Sequence, residues 1–348
     1  MTRRITRGPR LAAVAGTLAA ALALGACGSD DDSSTSTAAA TGTGSATSAS
    51  AEVQDAKLTI GMNSPTYSTQ MVTFVAEEKG FFAEEGITDV EVVTSDDYVA
   101  GLVSGSLDIT QGDTDTLLTA AQKSGDVELI AVYRSKEFQM LAVGEGITKP
   151  EDLKGRTVTG GDRGGRNEAV VKQILTKLGL DPKDVRLVPF GGGSDDRLQA
   201  LLAGKIQATN LFPRHKVPLE EAGGRFLYSE VVDAPQESVA ATPKFLEENR
   251  PLVEAYLRAT LKARQFIADE GNKDEVIRIM READFEVPDE YVAVFADEVI
   301  QISPDGGFDV AAMDALIDEE KELDLVPADL DWRAHFDLEP LWAVQEAL

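Results

Sequence analysis

Between Lys57 and Phe212 the chain alternates short apolar or β-branched runs with stretches of helical periodicity, and this restricts it to sheets flanked by helices. Lys57–Gly61 alternates and stops at a turn, as an opening strand does. Thr69–Lys79 places Met71, Phe74, Val75 and Glu78 on one helical face, with Gly80 as its C-terminal cap. Strands at Val90–Val93, Ser106–Thr110 and Val127–Tyr133 then alternate with helices at Asp97–Val103 and Asp115–Lys123. A second unit begins at Ile147, with strands at Arg156–Thr159, Val185–Phe190 and Ile206–Phe212 and helices at Asn167–Leu178 and Asp195–Ala203. The repeated rhythm predicts an α/β protein of two similar lobes, each with a mostly parallel sheet. Beyond Ser238–Thr242 the pattern turns helical, at Pro251–Asp269, Lys273–Glu282, Glu290–Ile300 and Val310–Leu323. Four helices without strands build no third sheet, so they are expected to pack onto an existing lobe.

The amino-terminal residues point to export. Arg3, Arg4, Arg7 and Arg10 precede an apolar run over residues 11–24, and Gly25-Ala26 stands before Cys27, the one cysteine of the chain. This is the order of a signal peptide over residues 1–26, and the apolar run is too short for an ordinary spanning helix. Leu24-Gly25-Ala26-Cys27 looks like a bacterial lipobox, which makes Cys27 the expected site of lipidation. The protein is then held on the extracytoplasmic face of the cell membrane by its lipid alone. Arg3-Arg4 raises a twin-arginine signal, but Ile5-Thr6-Arg7 matches it poorly. Residues 28–56 are nearly all Ser, Thr, Ala, Gly and Asp, too polar to offset the entropy of ordering, so residues 27–56 are expected to form a disordered tether.

Charge narrows the partners. The formal charge is −27, and removal of the leader takes four arginines and no acid, which gives −31. Such a surface repels nucleic acid and anionic lipid headgroups. A single cysteine forms no internal disulfide, and neither a transition-metal cluster nor a cofactor motif is present. Asp113 and Asp115 fall short of an EF-hand loop, so no metal is expected. The patterns G-x-x-x-x-G-K-[ST], G-x-S-x-G and H-E-x-x-H are absent, and the histidines are His215 and His335. No catalytic residue is assigned.

Ligands of open α/β sheets bind beyond the carboxyl ends of strands. Four loops there are polar or glycine-rich. The first offers Asn63, Ser64 and Tyr67, the second Asp113 and Thr114, and the fourth Asn210 and Arg214. The third runs from Gly160 straight into a helix and offers Gly161, Asp162, Arg163, Gly164, Gly165 and Arg166. Converging N–H groups, a helix amino end and two arginines suit a carboxylate, sulfonate or phosphate. Tyr67 and Phe212 are candidates to stack on a ring. Gly191-Gly192-Gly193 precedes Ser194-Asp195-Asp196, whose acids read as helix capping.

Four segments together resemble a known family. Ala76–Gly86, Leu102–Ile109, Ile147–Arg156 and Leu198–Ala208 are similar, in order, to signatures of binding proteins for aliphatic sulfonates, nitrate and thiamine-pyrimidine precursors. The similarity spans roughly residues 57–270. It implies a two-lobed type II periplasmic-binding fold, with residues 57–143 plus 239–348 as lobe one and 144–238 as lobe two. The hinge is expected near Gln139–Val143 and Ser238–Thr242. It also implies a solute-binding lipoprotein of an ABC importer, monomeric, with permease and ATPase on separate chains. Where the sulfonate binders carry Gly-Ser-Ser, this chain has Gly164-Gly165-Arg166. The hydroxyls are missing and an arginine appears, which points away from a sulfonate while keeping an anion.

Three readings of function follow, two of them binding modules and one an enzyme. The leading one is a binding module that captures a small anionic organic solute between its lobes by hinge closure. The others are a binder of a thiamine precursor or another heterocycle, and an exported enzyme like the pyrimidine-precursor synthases, with Asp113, Asp115 or Asp162 and Tyr67 as its acid and base.

Overall fold

The computed structural model describes residues 2–5, 53–64 and 66–347. Most of the expected leader, Cys27 and the expected tether up to residue 52 lie outside the described residues. Thr2–Ile5 (β1) runs antiparallel along one edge of the sheet. Val53, inside the expected tether, packs against the core, and the first internal strand already begins at Ala56.

The strands are β2 (Ala56–Met62), β3 (Ile87–Thr94), β4 (Ile109–Asp113), β5 (Glu128–Val143), β6 (Thr157–Thr159), β7 (Arg186–Leu187), β8 (Ala208–Asn210) and β9 (Arg225–Ala241). They form one sheet in the order β1-β3-β2-β4-β9-β5-β8-β6-β7. Two parallel groups, β3-β2-β4 and β8-β6-β7, stand on either side of an antiparallel β5–β9 ribbon. The first half of β5 pairs with the end of β9 beside β4, and the end of β5 pairs with the start of β9 beside β8. The expected crossovers at Gln139–Val143 and Ser238–Thr242 are thus the far ends of two long strands. Pairing slips at Leu129/Ala131, Val132/Arg134 and Arg134/Lys136, so the ribbon twists where it leaves the first parallel group.

The helices are α1 (Tyr67–Lys79), α2 (Phe81–Glu84), α3 (Tyr98–Val103), α4 (Thr114–Ser124), α5 (Arg166–Lys177), α6 (Ser194–Leu202), α7 (Lys216–Glu221), α8 (Pro243–Ala268), α9 (Lys273–Glu282), α10 (Asp289–Val299), α11 (Val310–Glu322) and α12 (Glu339–Ala347). Strand alternation assigns them to layers. Ile130 and Tyr133 of β5 with Val239 and Ala241 of β9 face a core built with α1, α8, α9, α10 and α12. Leu129, Val132 and Ala240 face the opposite core, under α3, α4 and α11. The other half of the sheet repeats the sandwich, with Leu141, Val143 and Val158 against α5 and Ala142 against α6 and α7. A Cβ on Gly112 would meet the Tyr98 ring at 2.3 Å, so only glycine lets α3 lie this close, and one on Gly61 would meet Leu107, in the loop after α3, at 2.4 Å.

The carboxyl-terminal helices pack back as expected: α8 against α1 and α2, α11 against β9. Helix α8 starts eight residues before the expected Pro251. Thr242 caps it by accepting the Phe245 N–H at 3.1 Å, and the helix bends at Asn249, just ahead of Pro251. Among the described residues no helix is long and apolar enough to cross a membrane.

Candidate functional site

The parallel strands β2, β4, β6 and β8 all end toward the β5–β9 ribbon, and their loops bring the two halves of the protein together. After β2, Gln70 pins the loop by donating to the Ser64 carbonyl at 2.9 Å and to Thr94 Oγ1 at 3.0 Å. Asn63 donates to the Asp113 carboxylate, and its buried Oδ1 has no partner in the protein. Tyr67 stacks edge-on against Tyr291 of α10 at 4.6 Å, with both phenol oxygens buried and unpartnered. Burial pushes the Tyr67 phenol far up, so it stays protonated.

Asp113 ends β4 and Thr114 opens α4. Thr114 Oγ1 lies 2.8 Å from Ser238 Oγ of β9. Asp115 Oδ1 accepts the Thr116 N–H at 2.6 Å, which ties that carboxylate to the helix end. Asp113 is solvent-exposed, but the protein crowding it in the cleft, with Glu237 and Asp115 nearby, raises its carboxyl to about 6. Glu237 is itself held by Arg134 at 3.0 Å.

The glycine loop after β6 behaves differently from its sequence reading. A Cβ on Gly160 would sit 2.4 Å from Glu168 Cα, and Gly161 has φ +98°, so the backbone there is glycine-only. Arg166 does not face an open anion site. Its Nε and Nη2 grip both oxygens of Glu137 at 3.1 and 2.8 Å, and Nη1 stands 3.0 Å from Glu319 of α11. Burial alone would lower its pKa, but these carboxylates outweigh it and drive it well up. Asp162, Arg163 and Gly164 are exposed, and Gly165 is the residue before α5. The two arginines expected to receive an anion are therefore one committed to carboxylates and one at the surface.

Another arginine occupies the place they were expected to fill. Arg197 of α6 is 4% exposed, has a buried unpartnered Nε and forms no ion pair among the described residues, and its Nη1 would lie 3.4 Å from a Cβ on Gly161. Burial, with Arg214 nearby, lowers its pKa against the pull of Asp162, Asp195 and Asp196. From the fourth loop, Asn210 bonds Asn167 at 2.7 Å and leaves its Oδ1 buried without a partner. Arg214 donates its backbone N–H to Glu298 of α10 at 2.8 Å and its Nη2 to Ser194 at 2.7 Å, and lies over the Phe212 ring. His215 is a structural member: Nδ1 accepts the Phe212 N–H and Nε2 faces Asp195 at 2.9 Å, while burial lowers its pKa.

Of the expected residues, Asp113, Thr114 and Arg166 line one cavity of about 230 Å³, together with Asp115, Asn167, Gln236 and Glu320. Asn63 reaches it through Asp113, and Asn210 through Asn167. The sequence reading missed Arg197, Glu298 and Glu320. A signal for the acids was present. Tyr291, Val294, Phe295 and Glu298, and likewise Met313, Leu316, Ile317 and Glu320, set a glutamate at the end of an i, i+3, i+4, i+7 apolar stripe. Among the described residues no three His, Cys, Asp or Glu side chains converge to hold a metal ion.

Residues 68–273 match the family described as NMT1/THI5 like, which is more than half of the chain. The chain belongs to the NMT1/THI5-like family. YtlA of Bacillus subtilis (strain 168), named as a binding protein, is 29% identical over 231 residues, 62% of this chain and 68% of YtlA. The fold agrees with two solved binding proteins. The aliphatic sulphonate binding protein SsuA of Escherichia coli superposes with TM-score 0.62 at 18% identity, over 80% of this chain and 91% of SsuA. The nitrate-binding protein NrtA of Synechocystis PCC 6803 gives 0.61 at 16% identity, over 85% and 89%. This NMT1/THI5-like chain thus has the periplasmic-binding fold.

Proposed function

We propose that the protein is an extracytoplasmic solute-binding protein of an ABC importer, without catalytic activity, which captures a small organic solute bearing an anionic group. The observation that carries the reading is Arg197. A guanidinium buried without a carboxylate partner is costly, and an incoming anion beside the glycine loop supplies the missing partner. The segregated apolar cores on either side of the β5–β9 ribbon support two lobes, residues 57–143 with 239–348 and 144–238. Arg166–Glu319 and Arg214–Glu298 join them, which suits closure about that ribbon. Family membership supports delivery to a permease and ATPase on separate chains, and the lipobox-like Leu24-Gly25-Ala26-Cys27 supports a lipid on Cys27 as the anchor. A thermal-shift panel of alkanesulfonates, nitrate, aromatic carboxylates and pyrimidine precursors tests it. One member should raise the Tm of the wild type and the Arg163→Ala variant but not of Arg197→Gln. A hit that survives Arg197→Gln contradicts the anion assignment.

A further inference from the structure

Resting on the reading of the cleft as a solute site, we infer that the cavity between α4, α5, β9 and α11 receives a protonated nitrogen of the solute, an ammonium or amidinium group, with Glu320 as its counter-ion.

Asp113, Asp115 and Glu320 line the cavity and Arg166 is the cation facing them. That guanidinium is already engaged by Glu137 and Glu319. The amino end of α4 offsets roughly half a charge, and Asp115 answers it by taking the Thr116 N–H. Acidic groups remain in excess, and the most buried of them has one oxygen without a hydrogen-bond partner among the described residues. Glu320 is 3% exposed, its Oε2 has no hydrogen-bond partner, and the apolar stripe of Met313, Leu316 and Ile317 fixes its direction. A carboxylate so placed is costly unless a cation or a proton joins it. Gln236 Nε2, unpartnered on the same cavity, offers a donor to an acceptor atom next to the nitrogen. No three acids converge as a metal requires among the described residues, which favours an organic cation with spread charge over a bare ion.

Protonation fits this geometry. Burial raises the Glu320 carboxyl to about 8, helped by Asp115 of α4, Glu319 of its own helix and Glu137 of β5, and opposed by Arg166 of α5. At neutral pH the empty cavity holds that proton, and the arriving cation displaces it. Binding therefore releases a proton, and affinity rises with pH until Glu320 is ionised.

The full-length protein, incubated with the fraction of yeast extract below 3 kDa and freed of unbound solute by gel filtration, provides the test. The retained solute is released and identified by accurate mass and fragmentation. The expected result is a solute with a basic nitrogen, at least about tenfold less retained by Glu320→Gln. Asp115→Asn is expected to weaken retention in the same direction. Titration of the identified solute into buffers of different ionisation enthalpy should show proton release below pH 8. A retained solute lacking a basic nitrogen, or equal retention by folded Glu320→Gln, overturns the inference and leaves solute binding standing. Retention of nothing by the wild type overturns the solute reading itself.

Discussion

Replacing Arg166 by Met separates two roles for the residue that the sequence presented as an anion ligand. Its side chain is 15% exposed and that of Glu137 is 10%, so solvent screens their contact only in part. The substitution removes two charged hydrogen bonds to Glu137 and the ion pair to Glu319, stranding two carboxylates. Removing one partner of a buried pair costs ~3–5 kcal/mol, and partial exposure brings the expectation to roughly 3 kcal/mol. At about 2 °C per kcal/mol for a protein of this size, the unliganded Tm should fall by about 6 °C. Arg166→Lys keeps the charge but not the fork, and should fall between. Adding Glu137→Gln to Arg166→Met should recover part of the loss, because one stranded charge is removed. The assay is urea unfolding of the unliganded proteins, with the double-mutant cycle as the readout. An Arg166→Met variant as stable as the wild type but impaired in solute binding would refute the structural assignment.

Three further outcomes are expected. Gly160→Ala should destabilise by ~1–3 kcal/mol in urea unfolding, because the new methyl meets the α5 backbone rather than a movable side chain. Glu320 has a folded pKa of about 8, above its unfolded value, so stability should decline as pH rises from about 4.5 to 8 and level off above. Glu320→Gln should flatten that decline, its advantage over the wild type greatest at pH 8 and above and vanishing toward pH 4.5; equal slopes would contradict it. Glu298→Gln weakens the contact to Arg214 across the cleft and should enlarge the radius of gyration of the unliganded protein in solution scattering.

The parts of the fold legible in the sequence were those with local signals. β2 and α1 showed alternation, then a 3.6-residue period, then Gly80, which adopts φ +83° as the cap. The middle of the β5–β9 ribbon gave no such signal. Arg134–Gln139 is a polar run and Glu230–Gln236 carries Asp233 and Pro235 without alternation, and their strand conformation comes from pairing with each other across about a hundred residues. Lys216–Glu221 hid behind Pro218, which stands early enough in α7 to be tolerated. The site was legible as a set of loops, because glycine and asparagine mark strand ends. Which arginine is spent was not. Arg166 and Arg197 look alike in sequence, and only the positions of Glu137 and Glu319, remote in the chain, decide that one is paired and the other is not.

On the proposed function, the protein binds one solute in its cleft and leaves it unchanged. Native mass spectrometry of the purified protein with the small-molecule fraction of yeast extract tests it most directly. A one-to-one complex is expected, lost in Arg197→Gln, from which the solute is recovered with its original mass. A wild-type protein with no retained mass, or one that returns the solute chemically altered, would contradict it.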